Sequence, residues 1–133
     1  MIKLTIPEQP ISNNHTYQHR CISKGRLLRF MSKRGKEYKQ IVQDTFSKIV
    51  SPEKKPVYDK TTNLHVVLEY RFKDRRKHDI DNYTKVLLDS LQGLAYADDG
   101  QITTLVMHKR IDKTNPGVNI TILEDDIIET CEV

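Results

Sequence analysis

The sequence has no tryptophan, and aromatic residues make up only 7% of its 133 residues. A core built from this chain must be mostly aliphatic. There are two cysteines, Cys21 and Cys131, and no Cys-x-x-Cys spacing, so neither a zinc site nor a disulfide framework is indicated. No apolar run is long enough to span a bilayer, and the N-terminus lacks the basic, apolar and small-residue pattern of a signal peptide. The expectation is a soluble intracellular, cytoplasmic protein with no membrane partner. No internal repeat, low-complexity segment or domain linker divides the chain. Its length suits a single domain over residues 1–133, with an acidic tail at about 124–133.

Charge, by contrast, is plentiful: 30% of residues are charged and the formal net charge is +4. The distribution says more than the total. Residues 1–60 hold 13 Lys and Arg against 5 Asp and Glu, whereas residues 61–133 hold 9 against 13. A basic N-terminal half suits a polyanionic partner, although a solvated surface would look the same.

Hydrophobic periodicity outlines the elements. Ile2–Ile6 alternates and reads as a strand that Pro7 and Pro10 end. Ser12–Arg20 is polar, with His15, Tyr17 and His19 in a loop or against DNA, and residues 26–31 read as a short strand. Ser32 is a good N-cap, and Tyr38, Ile41, Val42, Phe46, Ile49 and Val50 recur at helical spacing, which predicts a helix over 33–50. The alternation from Leu64 to Lys73 is the clearest strand. A second helix is expected over 81–94, then a turn at Tyr96–Gly100. Strands over 101–111 and 118–123 follow, joined as a hairpin through Asn115-Pro116-Gly117. This order suggests an α+β protein, a small mixed β-sheet with two main helices packed on it.

The densest chemical signal is Lys77-His78-Asp79-Ile80-Asp81-Asn82-Tyr83-Thr84-Lys85. If the chain is extended at Asp79 and Asp81, both carboxylates face one volume and repel. A divalent cation such as Mg²⁺ or Mn²⁺ removes that conflict. Lys85, four residues past Asp81, would sit one turn along the following helix as a phosphate contact. A helix cap at Asp81 or Asn82, with Asp79 merely solvated, is the better account of a lone Asp-x-Asp, since short motifs match by chance. The flanks favour chemistry: Lys73, Arg75, Arg76 and Lys77 precede the motif, and Asp98-Asp99 follow it by one helix length. Lys33, Arg34, Lys36 and Lys39 crowd the first turns of the earlier helix, where cations oppose the helix dipole. That placement makes sense if a phosphate binds there, and a solvated charged face is the alternative.

The run Arg75 to Lys85, then Leu87-Leu88-Asp89-Ser90-Leu91, then Asp98-Asp99-Gly100-Gln101-Ile102, resembles the RusA-type Holliday junction resolvases. Ser12-Asn13-Asn14 looks like that family's Pro-Ser-x-Asn segment. Two positions depart from the pattern: Ile11 replaces the proline before the serine, and His78 stands where an arginine often precedes the first aspartate. The resemblance implies a RusA-like homodimer that cleaves four-way junction DNA in recombination and repair, with Mg²⁺ as cofactor and Mn²⁺ as a substitute. It implies Asp79, Asp81 and Asp99 as metal ligands, Lys85 as a catalytic cation, and Asp89 and Asp98 as possible supporting acids. Lys33, Arg34, Lys36, Lys73, Arg75, Arg76, Lys77, His78 and Asn14 are the expected DNA contacts. Three other readings stay open: a metal-dependent nuclease of branched or flap DNA, a non-catalytic DNA-binding module, and a structural or interaction protein.

Overall fold

Strand β4 (Leu64–Phe72) is the axis of the fold. The structure, a computed structural model, describes residues 1–51, 53 and 55–125. β4 is central because its alternating side chains Leu64, Val66, Leu68, Tyr70 and Phe72 are all fully buried. At about 1.5–3 kcal/mol per large apolar side chain, that row is a principal source of stability. The intervening residues His65, Val67 and Glu69 are half-buried on the other face.

β4 lies between β5 (Ile102–Ile111), to which it is parallel, and β6 (Gly117–Glu124), to which it is antiparallel. β1 (Ile2–Ile6) pairs antiparallel with β6, giving the order β1-β6-β4-β5. Helices α2 (Lys33–Ser47) and α3 (Thr84–Leu91) pack against the sheet and each other. α2 buries Tyr38, Val42 and Phe46, and α3 buries Val86, Leu87 and Leu91, in one core with the β4 row. The fold is the α+β arrangement expected, with a mixed sheet and two main helices. No helix among the described residues is long and apolar enough to cross a membrane.

Several local expectations are corrected. The polar segment 12–20 is not a loop. It forms a short helix, α1 (Asn13–Thr16), capped by Ser12, and then strand β2 (Tyr17–Ser23). β2 pairs with β3 (Arg26–Met31) as a separate two-stranded sheet. Its partner lies across a turn, and its exposed faces leave no apolar alternation to read.

Helix α2 ends at Ser47, because the Ile49 and Val50 N–H groups both fold back to the Phe46 carbonyl. α3 is shorter than residues 81–94. Ile80–Tyr83 is a 3₁₀ turn in which Asn82 N–H reaches the Asp79 carbonyl, and α3 proper stops at Leu91. Beyond it Gly93 takes φ +86°, and the Tyr96 hydroxyl donates to the Leu88 carbonyl.

The expected β5–β6 hairpin does not exist either, because the two strands flank β4. Their connection is fixed by Arg71, whose guanidinium donates to the Asn115 carbonyl (2.9 Å) and to Asn119 Oδ1 (2.7 Å). Gly117, at φ +155°, comes so close to β1 that a Cβ there would collide with the Ile6 carbonyl oxygen. Of the acidic tail, Glu124 closes β6 and Asp125 accepts from Thr103 and Thr104. Residues 126–133, Cys131 among them, lie outside the described residues.

Candidate active site

β4 delivers the chain to the acidic motif through a tight basic turn. Asp74 accepts from the Arg76 N–H (3.1 Å) and pairs with His78 Nε2 (3.1 Å). These contacts, the histidine first, hold its carboxyl below the usual carboxylate range. The His78 ring stacks on Phe72 at 4.1 Å and 5°, and its Nδ1 meets the Tyr83 hydroxyl at 2.8 Å. Both ring nitrogens are therefore engaged within the protein. In this geometry His78 clamps the turn while lining the same cleft as Arg34, Lys73 and Arg76.

Asp79 is extended (φ −83°, ψ 110°), but Asp81 lies inside the 3₁₀ turn. The premise that i and i+2 face the same way holds only for unbroken extended chain, and here the chain turns between them. Asp81 lines a groove of about 380 Å³ between α3 and the outer edge of β5. Lys85, Asp89 and Asp99 share its polar wall, and Leu88, Leu105 and Met107 form its apolar floor. Asp79 is not among the residues lining it. Its charge is felt instead by Tyr83, whose hydroxyl titration is pushed up by burial first and then by Asp74 and Asp79.

Asp99 reaches the groove through the turn after α3. Asp98 caps a short 3₁₀ turn (Asp99–Gln101) and accepts from the Gly100 N–H at 3.3 Å. The Gln101 side chain accepts from the Ala97 and Asp98 N–H groups and donates to the Asp59 and Thr62 carbonyls. The titration of Asp99 is raised by desolvation first, then by hydrogen bonding to Asp98 and by the charges of Asp98 and Asp89; the Gly100 N–H opposes the rise. Asp89 and Asp99 thus share the groove wall with Asp81 and Lys85, and Asp98 lies next to Asp99 outside it.

The expected convergence of Asp79, Asp81 and Asp99 on one point is not present. Among the described residues no three His, Cys, Asp or Glu side chains are grouped to hold a metal ion. The reason is topological. β5 runs parallel to β4 with Ile102 opposite Leu64, so Asp99 sits beside the start of β4 while Asp79 follows its end. α3, eight residues and about 12 Å long, spans much of that interval. It carries Lys85 and Asp89 along the groove.

Sequence reasoning missed Arg29, and it placed Tyr17 only in a loop or against DNA. The Tyr17 hydroxyl donates to Asp89 Oδ2 at 2.8 Å, Lys85 Nζ lies 5.5 Å from its ring centroid, and Arg29 Cζ lies 4.1 Å from it. Burial, then the hydrogen bond and charge of Asp89, push the Tyr17 hydroxyl up to about 12, with Arg29 opposing. Nothing in the local sequence links positions 17 and 89. Only the placement of β2 beside α3 does.

The basic residues separate into groups. Arg34, Lys73 and Arg76 line a second cleft of about 230 Å³ with His15 and Gln9, on the side of Tyr83 and His78. This brings the first turn of α2 and the basic turn together. Lys33, Lys36, Arg75, Lys77 and Asn14 are exposed. A protein-family model described as endodeoxyribonuclease RusA matches residues 7–123 of the chain. No curated protein matches it.

Proposed function

The chain belongs to the RusA endodeoxyribonuclease family, and from that premise we propose that it hydrolyses phosphodiester bonds of four-way junction DNA in a Mg²⁺-dependent reaction. Mn²⁺ would substitute. Its setting would be DNA recombination and repair, inside the cell. The observation that carries this reading is the groove in which Asp81, Lys85, Asp89 and Asp99 stand together beside basic surfaces.

The donor set suits a hard cation, since carboxylate oxygens are the ligands Mg²⁺ prefers. Desolvation first, then Asp98 and Asp89, raises the Asp99 titration, so its carboxylate gains from a positive partner. Asp81 and Asp99, which both line the groove, would hold the ion. When bound, such an ion supplies charge neutralisation at the phosphate and a nucleophile at neutral pH. The chain's own groups do the rest. Lys85 offers an ammonium to a phosphate oxygen on the same wall as Asp81. Asp89, held by Tyr17, accepts a hydrogen bond and sets the electrostatics around Lys85 and Asp99. The cleft of Arg34, Lys73 and Arg76 holds backbone phosphates without reading bases. A four-way junction needs two cuts, and a two-fold homodimer would pair two grooves.

The test is cleavage of a synthetic four-way junction against linear duplex and flap controls, with Mg²⁺, Mn²⁺ or a chelator. The reading expects paired nicks in the junction with either metal and none with chelator. Equal cutting of the flap would make it a broader branched-DNA nuclease. Tight binding without any cleavage would make it a DNA-binding module.

A further inference from the structure

We propose that the β2–β3 hairpin is an arm that engages the branch point of DNA. Its cations would sit on backbone phosphates and its apolar tip against exposed base faces. This rests on the nuclease reading and adds an element that the reading does not use.

Residues 9–36 contain no Asp or Glu at all. The hairpin therefore carries Arg20, Lys24, Arg26 and Arg29 with no acid of its own. An isolated two-stranded hairpin is marginal in water, so its root must hold it. There, the Ser32 N–H donates to the Thr16 carbonyl at 2.7 Å and the Ser32 hydroxyl donates to the His15 carbonyl. Gly35 packs so tightly that a Cβ would lie 2.8 Å from the Thr16 carbonyl oxygen. Past the root, every residue from Gln18 to Phe30 is exposed.

Exposed cations alone describe any solvated surface. The tip does not fit that description, because Ile22 is 56% and Leu27 71% exposed. Together the two features specify a partner with phosphates and accessible apolar planes. Apolar wedges such as Leu and Ile between base steps are a general device for distorting DNA, and a branch point already offers unstacked base faces. Pairing two such arms from copies of this chain would set four cations against four. The location agrees: Tyr17, Arg29 and Met31 line one cleft with Lys85 and Asp89. DNA held by the arm is thereby led to the catalytic groove.

The experiment uses a four-way junction carrying 2-aminopurine at the branch point, with Ca²⁺ replacing Mg²⁺ so that DNA is bound and not cut. Wild type is expected to raise the fluorescence as bases unstack. The variant I22S/L27S should lose that rise while its Kd changes by less than about threefold. R20Q/R26Q should weaken binding and lower the slope of log K against log salt by about 0.9 for each phosphate no longer neutralised. All four residues are exposed, and melting curves will show that the variants fold. A full fluorescence rise in I22S/L27S, or dissociation of a dimer in sedimentation with the rise retained, overturns the arm. If wild type neither binds nor cuts the junction, the nuclease reading itself falls. If wild type cuts and I22S/L27S keeps the signal, only the arm falls.

Discussion

The Tyr17 hydroxyl donates to Asp89 Oδ2 at 2.8 Å across 72 residues of sequence, tying the root of the basic hairpin to the helix that carries Lys85. A hydrogen bond to an ionised group is worth about 1.5–3 kcal/mol. Tyr17→Phe keeps the ring against Arg29 and Lys85 and removes only this donor. It should lower the single-turnover cleavage rate about tenfold or more and leave junction affinity nearly unchanged. The pH profile gives a second check. A raised hydroxyl pKa means that the bond is present at lower pH and is lost as pH rises through about 12. Wild type should therefore show no Tyr17-dependent loss at pH about 10, where an ordinary tyrosine titrates. A loss centred near pH about 10 that disappears in Tyr17→Phe would show that the bond is not formed.

Desolvation, then the hydrogen bond and charge of Asp98 and the charge of Asp89, make the Asp99 carboxylate unfavourable in the folded protein without a cation. Because its folded pKa is raised, this cost is absent at low pH and appears as pH rises from the unfolded value through the folded one. Asp99→Asn should raise the Tm in chelator at neutral pH and abolish the gain in Tm that Mg²⁺ gives wild type. A melting series with and without Mg²⁺ reads both effects. An unchanged Mg²⁺ response would remove Asp99 from the metal site.

Cleavage itself should separate the acids from the binding surface. Asp81→Asn and Asp99→Asn are each expected to slow cleavage by about 100-fold or more while retaining junction affinity in gel shifts. Asp98→Asn should be milder, since that carboxylate caps the turn. Asp79 lies outside the groove with only Ile80 separating it from Asp81, so Asp79→Asn is expected to be milder than Asp81→Asn. Inactivity as complete as that of Asp81→Asn would bring Asp79 to the metal.

Lys85 lines both the groove and the cleft under the hairpin. Lys85→Ala should reduce the turnover rate more than the affinity, since its charge acts on the transition state. A loss confined to affinity would make it a backbone contact.

Gly117 tests the fold rather than the chemistry. Its φ of +155° and its approach to Ile6 leave no room for a side chain. Gly117→Ala should destabilise the protein by at least about 1–3 kcal/mol, read as a lower Tm. An unchanged Tm would mean that β1 can shift away without cost.

Much of this architecture is written in local pattern. The alternation of Leu64–Phe72 makes β4 legible, because a strand buried on one face must repeat every two residues. The apolar spacing of Tyr38, Val42 and Phe46 does the same for α2. The acidic motif and its basic flanks are visible because charge next to opposite charge is a local property, and they carry the family resemblance.

The remainder depends on contacts between distant segments. Whether β5 lies beside β6 or beyond β4 is a choice of sheet neighbour that both strands satisfy equally in sequence, and the packing around Arg71 and Gly117 settles it. That choice makes β5 parallel to β4 and sends Asp99 to the far end from Asp79. The pairing of β2 with β3 leaves no hydrophobic period to read, since both faces are exposed. Tyr17 meets Asp89 only because non-local packing brings the hairpin root against α3, and no spacing rule reaches across 72 residues.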